Sequence, residues 1–297
     1  MDEFTLTADE HVAETGRFIM SQQLDKILTY ADGVSSDADV TAVHEMRKAI
    51  RRPFTCFKLF QPYFEPGILK PYRRGLRRIM RRLGICRDLA VFRLKLDVYN
   101  EQSERPLTEL AVYWENRQSI ADREVMNYLA KQKQQSLLVR YRTFTESPGL
   151  GVMKPMDPWA PVKTRYHLPI LIYQRVAGVR AFDDKLEIST VKQLHRLRIQ
   201  FKELRYTLQF FAPLLGEEVE TALESLKQSQ EHLGNLNDST VALRFLDEMA
   251  VLERSVTRYR LYQAEEQERL VGSFLPVWQR FDQPDWRRDL AEMIGAL

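Results

Sequence analysis

Two stretches of this 297-residue chain carry the same pattern, and that repeat constrains the fold more than any other feature. Residues 43–60 read VHEMRKAIRRPFTCFKLF, and residues 194–211 read LHRLRIQFKELRYTLQFF. His44 aligns with His195, Arg47 with Arg198, Arg51 with Lys202 and Phe60 with Phe211, all at an offset of 151. Downstream, LGICRDLAV (83–91) aligns with LGNLNDSTV (233–241) at an offset of 150. Two matches at nearly one offset point to an internal duplication, with each copy folding as a bundle of helices.

Most of the chain has the apolar periodicity of amphipathic helices, and no sustained period-2 alternation marks a strand. Thr7 and Glu10 have capping-box spacing and open a first helix that runs to about Tyr30. The pattern predicts further helices at about 41–60, 71–83, 88–103, 106–145, 165–182, 190–212, 217–233, 238–254 and 256–275. Between them lies SPGLGVMKPMDPWAPV, residues 147–162, whose four Pro and two Gly make it the clearest linker. The expected architecture is all-α: one bundle in 1–146, the linker at 147–162 and a second bundle in 163–297, related by a pseudo-two-fold. Pro53 is expected to kink the helix of the first copy or to remove one of its hydrogen bonds.

Composition removes several classes. With 44% apolar residues and only 12 Gly and 13 Pro, the chain is neither disordered nor collagen-like. Two cysteines, Cys56 and Cys86, cannot form a disulfide framework and read as buried, reduced thiols. The acidic start MDEFTLTADE has no apolar core of a signal peptide, and no apolar run is long enough to cross a bilayer, so a cytoplasmic location is expected.

The formal charge of +3 conceals a strong polarity. From His44 to Lys95 there are 15 Lys or Arg and 3 acids, an excess of +12; the remainder holds 29 basic and 38 acidic residues, or −9. Such a field selects a large anion. In helical projection His195, Arg198, Lys202 and Arg205 fall within an arc of about 80°, spread over about 15 Å of helix. Leu194, Leu197, Phe201, Leu204, Leu208 and Phe211 occupy the opposite, core face. In the first copy His44, Arg47, Lys48, Arg51 and Lys58 share one face, and Val43, Met46, Ile50, Phe54 and Phe57 another. Solvated helix faces normally mix charge signs, because like-charge neighbours repel. A one-signed row found twice implies an anion that neutralises it.

A third helix, YRRGLRRIMRRLG, sharpens the point. Arg73, Arg77 and Arg81 form one i,i+4 row and Arg74, Arg78 and Arg82 the next, while Tyr72, Leu76, Ile79 and Leu83 face inward. Arginine's fixed fork of donors suits phosphate, and an array of this size suits a polyanion. In the repeated Leu-Gly-x-x-x-Asp, Gly84 and Gly234 read as helix stops and Asp88 and Asp238 as N-caps of the following helices. His44 and His195 read as hydrogen-bond donors to phosphate oxygens. No His-x-x-x-His pair occurs, and neither a metal nor a cofactor is expected.

Two copies of His-x-x-Arg-x-x-x-(Arg/Lys), each followed by Leu-Gly-x-x-x-Asp, resemble the CHAD family, the conserved histidine α-helical domain. The resemblance spans roughly residues 10–275. It implies two antiparallel helical bundles with a basic groove between them, and binding of inorganic polyphosphate without catalysis. On matching positions it assigns phosphate contacts to His44, Arg47 and Arg51, and to His195, Arg198, Lys202 and Arg205. Pro53 and Phe54 stand where the first copy of the family usually carries another Arg, which affects the far end of that row, around Lys58. The Glu-x-Glu-x-Lys mark of the CYTH triphosphatase domain found in many relatives is missing here, so the resemblance implies a stand-alone binding module, associated with polyphosphate granules. Two other classes compete. A metal-dependent phosphohydrolase or phosphotransferase would use His44, His195, Asp88 and Asp238, but there is no Gly-rich phosphate loop to serve it. A nucleic-acid-binding module would want aromatic platforms among the cations, whereas Phe54, Phe57, Phe60, Phe201 and Phe211 project to the core face. No motif assigns a protein partner to the tail after Phe274.

Overall fold

The computed structural model describes residues 6–34, 40–134, 137–186, 189–247 and 255–297, with side chains throughout except at 31–34, 40–44, 130, 132–134, 185 and 255. The fold is all-α. Its helices are α1 (Val12–Val34), α2 (Val40–Phe60), α3 (Lys70–Gln102), α4 (Thr108–Gln134), α5 (Leu137–Thr145), α6 (Thr164–Arg180), α7 (Val191–Leu215), α8 (Val219–Asp247), α9 (Ser255–Gly272), α10 (Phe274–Phe281) and α11 (Pro284–Gly295). Among the described residues no helix is long and apolar enough to cross a membrane.

Several helix ends differ from the periodicity reading, each for a local reason. α1 starts at Val12 rather than near Thr7, because the His11 ring nitrogen Nδ1 accepts from the Ala13 N–H and caps the helix (3.2 Å). Thr190 does the same for α7 within a complete capping box with Gln193. The expected breaks after Leu83 and after Leu233 do not occur. α3 and α8 run through Gly84 and Gly234, neither of which takes positive φ, so these glycines are not helix stops and Asp88 and Asp238 are not N-caps. Pro53 lies inside α2, which continues to Phe60. Residues 35–39 and 248–254, expected as a loop and a helix end, lie outside the described residues. Beyond Phe274 the chain forms α10 and α11, which bury Trp278, Phe281, Trp286 and Leu290.

The chain divides into two compact units. The first comprises Met1–Ala90 and Glu115–Leu171, the second Val91–Trp114 and Ile172–Leu297. The divisions fall inside α3, α4 and α6.

In the first unit α1 packs on α2 through Ile19, Met20, Leu24 and Ile27 against Met46, Ile50, Phe57 and Phe60, all buried. Gly16 permits the contact, since a Cβ there would collide with the Phe60 ring. Cys56 and Cys86 are buried free thiols, and burial pushes both thiol pKa values up. The Pro/Gly segment is fastened to the start of this unit. Val12 N–H donates to Val162 (2.8 Å), Thr164 N–H to the Glu10 carbonyl (2.9 Å) and Gly149 N–H to the Glu14 carboxylate (2.9 Å). Gly149 and Gly151 take positive φ, +76° and +66°, where a side chain would be strained.

Arg17 is the centre of that fastening. Its side chain is only 3% exposed. It donates to Glu14 (2.8 Å) and to the carbonyls of Phe144 (2.6 Å) and Leu150 (2.7 Å), and it lies over the Phe144 ring at 4.6 Å.

In the second unit α7 presents Leu194, Leu197, Phe201, Leu204, Leu208 and Phe211 to the core, all buried as its periodicity demands. α8 packs against α7, α9, α10 and α11 and supplies Leu226, Leu233 and Leu236. The Phe201 ring lies 5.0 Å from Phe281 and 6.0 Å from Trp278. Residues 91–114 complete this core, with Phe92 set 4.8 Å from Trp114 and 5.8 Å from both Phe245 and Tyr259.

Removing one partner of a buried, hydrogen-bonded ion pair typically costs about 3–5 kcal/mol. Arg17→Ala is therefore expected to lower the unfolding free energy by about 3 kcal/mol, read as a lower urea midpoint with an unchanged slope. Lys26→Ala, on the same helix but without such a network, serves as the mild comparison.

Candidate cation rows on two helices

The second copy is the more completely described. Core packing of α7 through Leu194, Leu197, Phe201 and Leu204 turns His195, Arg198, Lys202 and Arg205 away from the interior; His195 is exposed and the other three are half-buried. α8 runs antiparallel beside this row. The Arg198 guanidinium donates to the Asn237 side-chain oxygen (3.4 Å), and one to two turns further along α7 the Arg205 guanidinium donates to Gln230 (3.0 Å). Gln230 in turn donates to the Phe201 carbonyl (3.0 Å), and the Asn237 amide to Asp238 (3.4 Å). Thus α8 offers the amides of Asn237 and Gln230 to Arg198 and Arg205, and these orient the two guanidinium groups.

His195 feels this arrangement. Burial of part of the ring lowers its pKa below the ordinary 6.5, and the charges of Arg198 and Lys202 add to the shift, while a hydrogen bond with Asn237 opposes it. The ring also borders a cleft of about 330 Å³ between α7 and α8, with Leu233, Leu236 and Thr240 on its α8 side. Nearby on the same unit, Lys95 donates to Ser239 (3.4 Å); its pKa is lowered by burial, against the carboxylates of Asp238 and Glu266.

In the first unit His44 falls within α2, but its side chain lies outside the described residues. Arg47 is half-buried and donates to Asp88 on α3 (3.3 Å). Burial lowers its pKa, Asp88 acts in the opposite direction, and Arg51 and Arg87 reinforce the lowering. Arg51 is half-buried, Lys48 is exposed and paired with Glu45 (2.8 Å), and Lys58 is exposed near the end of α2. On α3, Arg73, Arg74, Arg77, Arg78, Arg81 and Arg82 are all exposed, as the two-row pattern required, and Arg82 lies 4.3 Å over the Tyr128 ring.

The structure brings in residues that the helical periodicity did not single out. Asn237 and Gln230 carry no charge and sit in an ordinary amphipathic helix, so nothing local marks them; only the α7–α8 pairing does. Lys95 and Arg87 belong to the basic stretch 44–95, and their neighbours Ser239 and Arg47 come from other helices. Among the described residues no three His, Cys, Asp or Glu side chains gather as a metal site would require.

A model of the CHAD domain matches residues 18–247 of the sequence. The fold is similar to that of the crystal structure of the CHAD domain from the plant Ricinus communis, with a TM-score of 0.68 and 21% identity over 99% of this chain and 95% of that one. It is also similar to PptA from Streptomyces chartreusis, with a TM-score of 0.65 and 14% identity over 91% of this chain and all of that one (100%). Among proteins of curated function none matches.

The hydrogen bond that the His195 ring makes to Asn237 and the positive neighbours act on His195 in opposite directions, which can be separated by NMR titration of the imidazole. The wild-type pKa is expected below 6.5, Asn237→Ala is expected to lower it further, and Lys202→Gln to raise it.

Proposed function

Because the chain belongs to the CHAD-domain family, we propose that it binds inorganic polyphosphate, without catalysis, through the cation rows of α2 and α7 and the exposed arginines of α3. The observation that carries this reading is the α7 row. His195, Arg198, Lys202 and Arg205 share one face, and the amides of Asn237 and Gln230 on α8 orient two of them. Like charges held at this spacing raise the free energy of the empty protein, and a chain of phosphates removes that cost while accepting charge-assisted hydrogen bonds. The α2 row, with Arg47 and Arg51, and the six arginines of α3 extend the same chemistry in the first unit.

Binding of this kind releases condensed counterions, so affinity should fall steeply as salt rises. Fluorescence anisotropy with labelled long-chain polyphosphate is expected to show tight binding at low salt and a linear loss on a double-logarithmic salt plot. Arg198→Glu combined with Lys202→Glu is expected to weaken binding by more than tenfold and to flatten that slope. An absence of binding by the wild-type protein at low salt would refute the proposal. Adding Arg47→Glu and Arg51→Glu to that pair is expected to weaken binding further, as the proposed contribution of the α2 row requires. Chain-length analysis after incubation with divalent metal ions should find the polyphosphate intact.

The pH dependence follows from His195. In the free protein its pKa is held down, so the ring is largely neutral at pH 7. A polyanion laid beside it favours the charged ring, raises the pKa and makes binding take up a proton. Affinity should therefore rise as pH falls below about 7 and level off below the free-state pKa, with a gain of up to about tenfold for each unit of pKa shift. His195→Gln is expected to remove most of this dependence, measured by anisotropy between pH 5.5 and 8. An unchanged pH profile in that variant would exclude His195 as the titrating group.

A further inference from the structure

The two glycines of the repeated Leu-Gly-x-x-x-Asp remain unexplained by the fold. Neither ends a helix, and neither has positive φ. Three other helical glycines have an evident packing role: a Cβ at Gly16 would strike Phe60, one at Gly75 would strike Leu137, and one at Gly178 would strike the Gln200 side chain. At Gly84 and Gly234 a Cβ would meet nothing within 4 Å. Among the described residues these are the two glycines well inside a helix that face open space, since Gly272 and Gly295, equally open, are the last residues of α9 and α11. Mid-helix glycine is destabilising relative to alanine, so each of these positions gives up stability without a packing return.

Their places in the sequence repeat are equivalent. On α8, Gly234 lies between Gln230, which accepts from Arg205, and Asn237, which accepts from Arg198. Lys202 lies between those two arginines on α7, so the antiparallel register puts Lys202 level with Gly234. On α3, Gly84 is one turn before Asp88, which accepts from Arg47, and Arg51 is one turn after Arg47. In the repeat Arg51 aligns with Lys202 and Gly84 with Gly234, so the same pair of residues recurs in the first unit. In the second unit Lys202 therefore stands beside a gap in the neighbouring helix, where the side chain is missing, and the aligned Arg51 and Gly84 repeat the pair in the first.

We infer that Gly84 and Gly234 are phosphate seats: positions kept bare so that one tetrahedron of the anion can settle against the helix backbone beside Arg51 or Lys202. The inference rests on the polyphosphate reading and adds residues that carry no charge. A phosphoanhydride chain carries nothing wider than its own phosphates, so it can enter a notch one side chain wide. A methyl group would lift it away from cations whose hydrogen bonds weaken steeply with distance. Stability and binding should then respond in opposite directions, as expected where function has retained an unfavourable residue.

The experiment compares the wild-type protein with Gly234→Ala, Gly234→Leu and Gly84→Ala, using Gly272→Ala as the control, by thermal melting and by anisotropy with long-chain polyphosphate. The alanine variants at 84 and 234 are expected to melt about 2–4 °C higher than the wild type. They are expected to bind several-fold more weakly, and Gly234→Leu more than tenfold more weakly. Gly272→Ala should bind as the wild type does. Wild-type affinity in Gly234→Leu and Gly84→Ala, with the parent protein binding normally, would overturn the seats and leave the polyphosphate reading standing. Failure of the parent protein itself to bind would remove both.

Discussion

The cation rows exist because the opposite faces of the same helices are buried. On α7, Leu194, Leu197, Phe201, Leu204, Leu208 and Phe211 are driven into the core of the second unit, and a rigid 3.6-residue repeat leaves His195, Arg198, Lys202 and Arg205 no other place to go. Burial of each large apolar side chain is worth about 1.5–3 kcal/mol, against a few tenths for each like-charge neighbour pair on a helix. The core therefore wins, and repulsion along the row is held in the native state. Met46, Ile50, Phe57 and Phe60 do the same for Arg47 and Arg51 on α2.

Neighbouring helices then set how much of that charge is usable. α8 meets Arg198 and Arg205 with the amides of Asn237 and Gln230. Being neutral, these two amides orient the guanidinium planes without adding a counter-charge of their own. α3 instead offers Asp88 to Arg47, so the first row is partly neutralised at that level but gains the six exposed arginines further along α3. The two copies thus reach a similar positive surface by different local chemistry, although they align residue by residue in sequence. The first unit also has a requirement of its own: its long Pro/Gly segment is held by the buried Arg17, which takes the carbonyls of Phe144 and Leu150 and so leaves few main-chain acceptors in that region unsatisfied.

Leu-Gly-x-x-x-Asp shows where local reading reaches its limit. By propensity alone a glycine four residues before an aspartate looks like a stop followed by a cap, and both copies invite that interpretation. Helical hydrogen bonding through Gly84 and Gly234 prevails because the flanking leucines, isoleucines and phenylalanines keep a single apolar stripe in phase across the glycine: Leu76, Ile79, Leu83 and Cys86 on α3, and Leu226, Leu233 and Leu236 on α8. The price of a flexible residue in mid-helix is about 1 kcal/mol, less than the burial that an interrupted stripe would forfeit. In the same way Pro53 removes a donor from α2 but does not end it, since Cys56, Phe57 and Phe60 beyond it remain buried.

What the amino-acid sequence determined by itself was the helical class and the faces of α2, α3 and α7 that carry charge. Those properties follow from periodicity and charge, which are local and survive without knowledge of neighbours. Only the tertiary structure decided which residues answer the cations from across a helix pair, that residues 91–114 share a core with the chain after Ile172, and that Gly84 and Gly234 lie inside helices and face open space. Such facts depend on the register between helices distant in sequence, and register is set by side-chain packing that no single segment encodes.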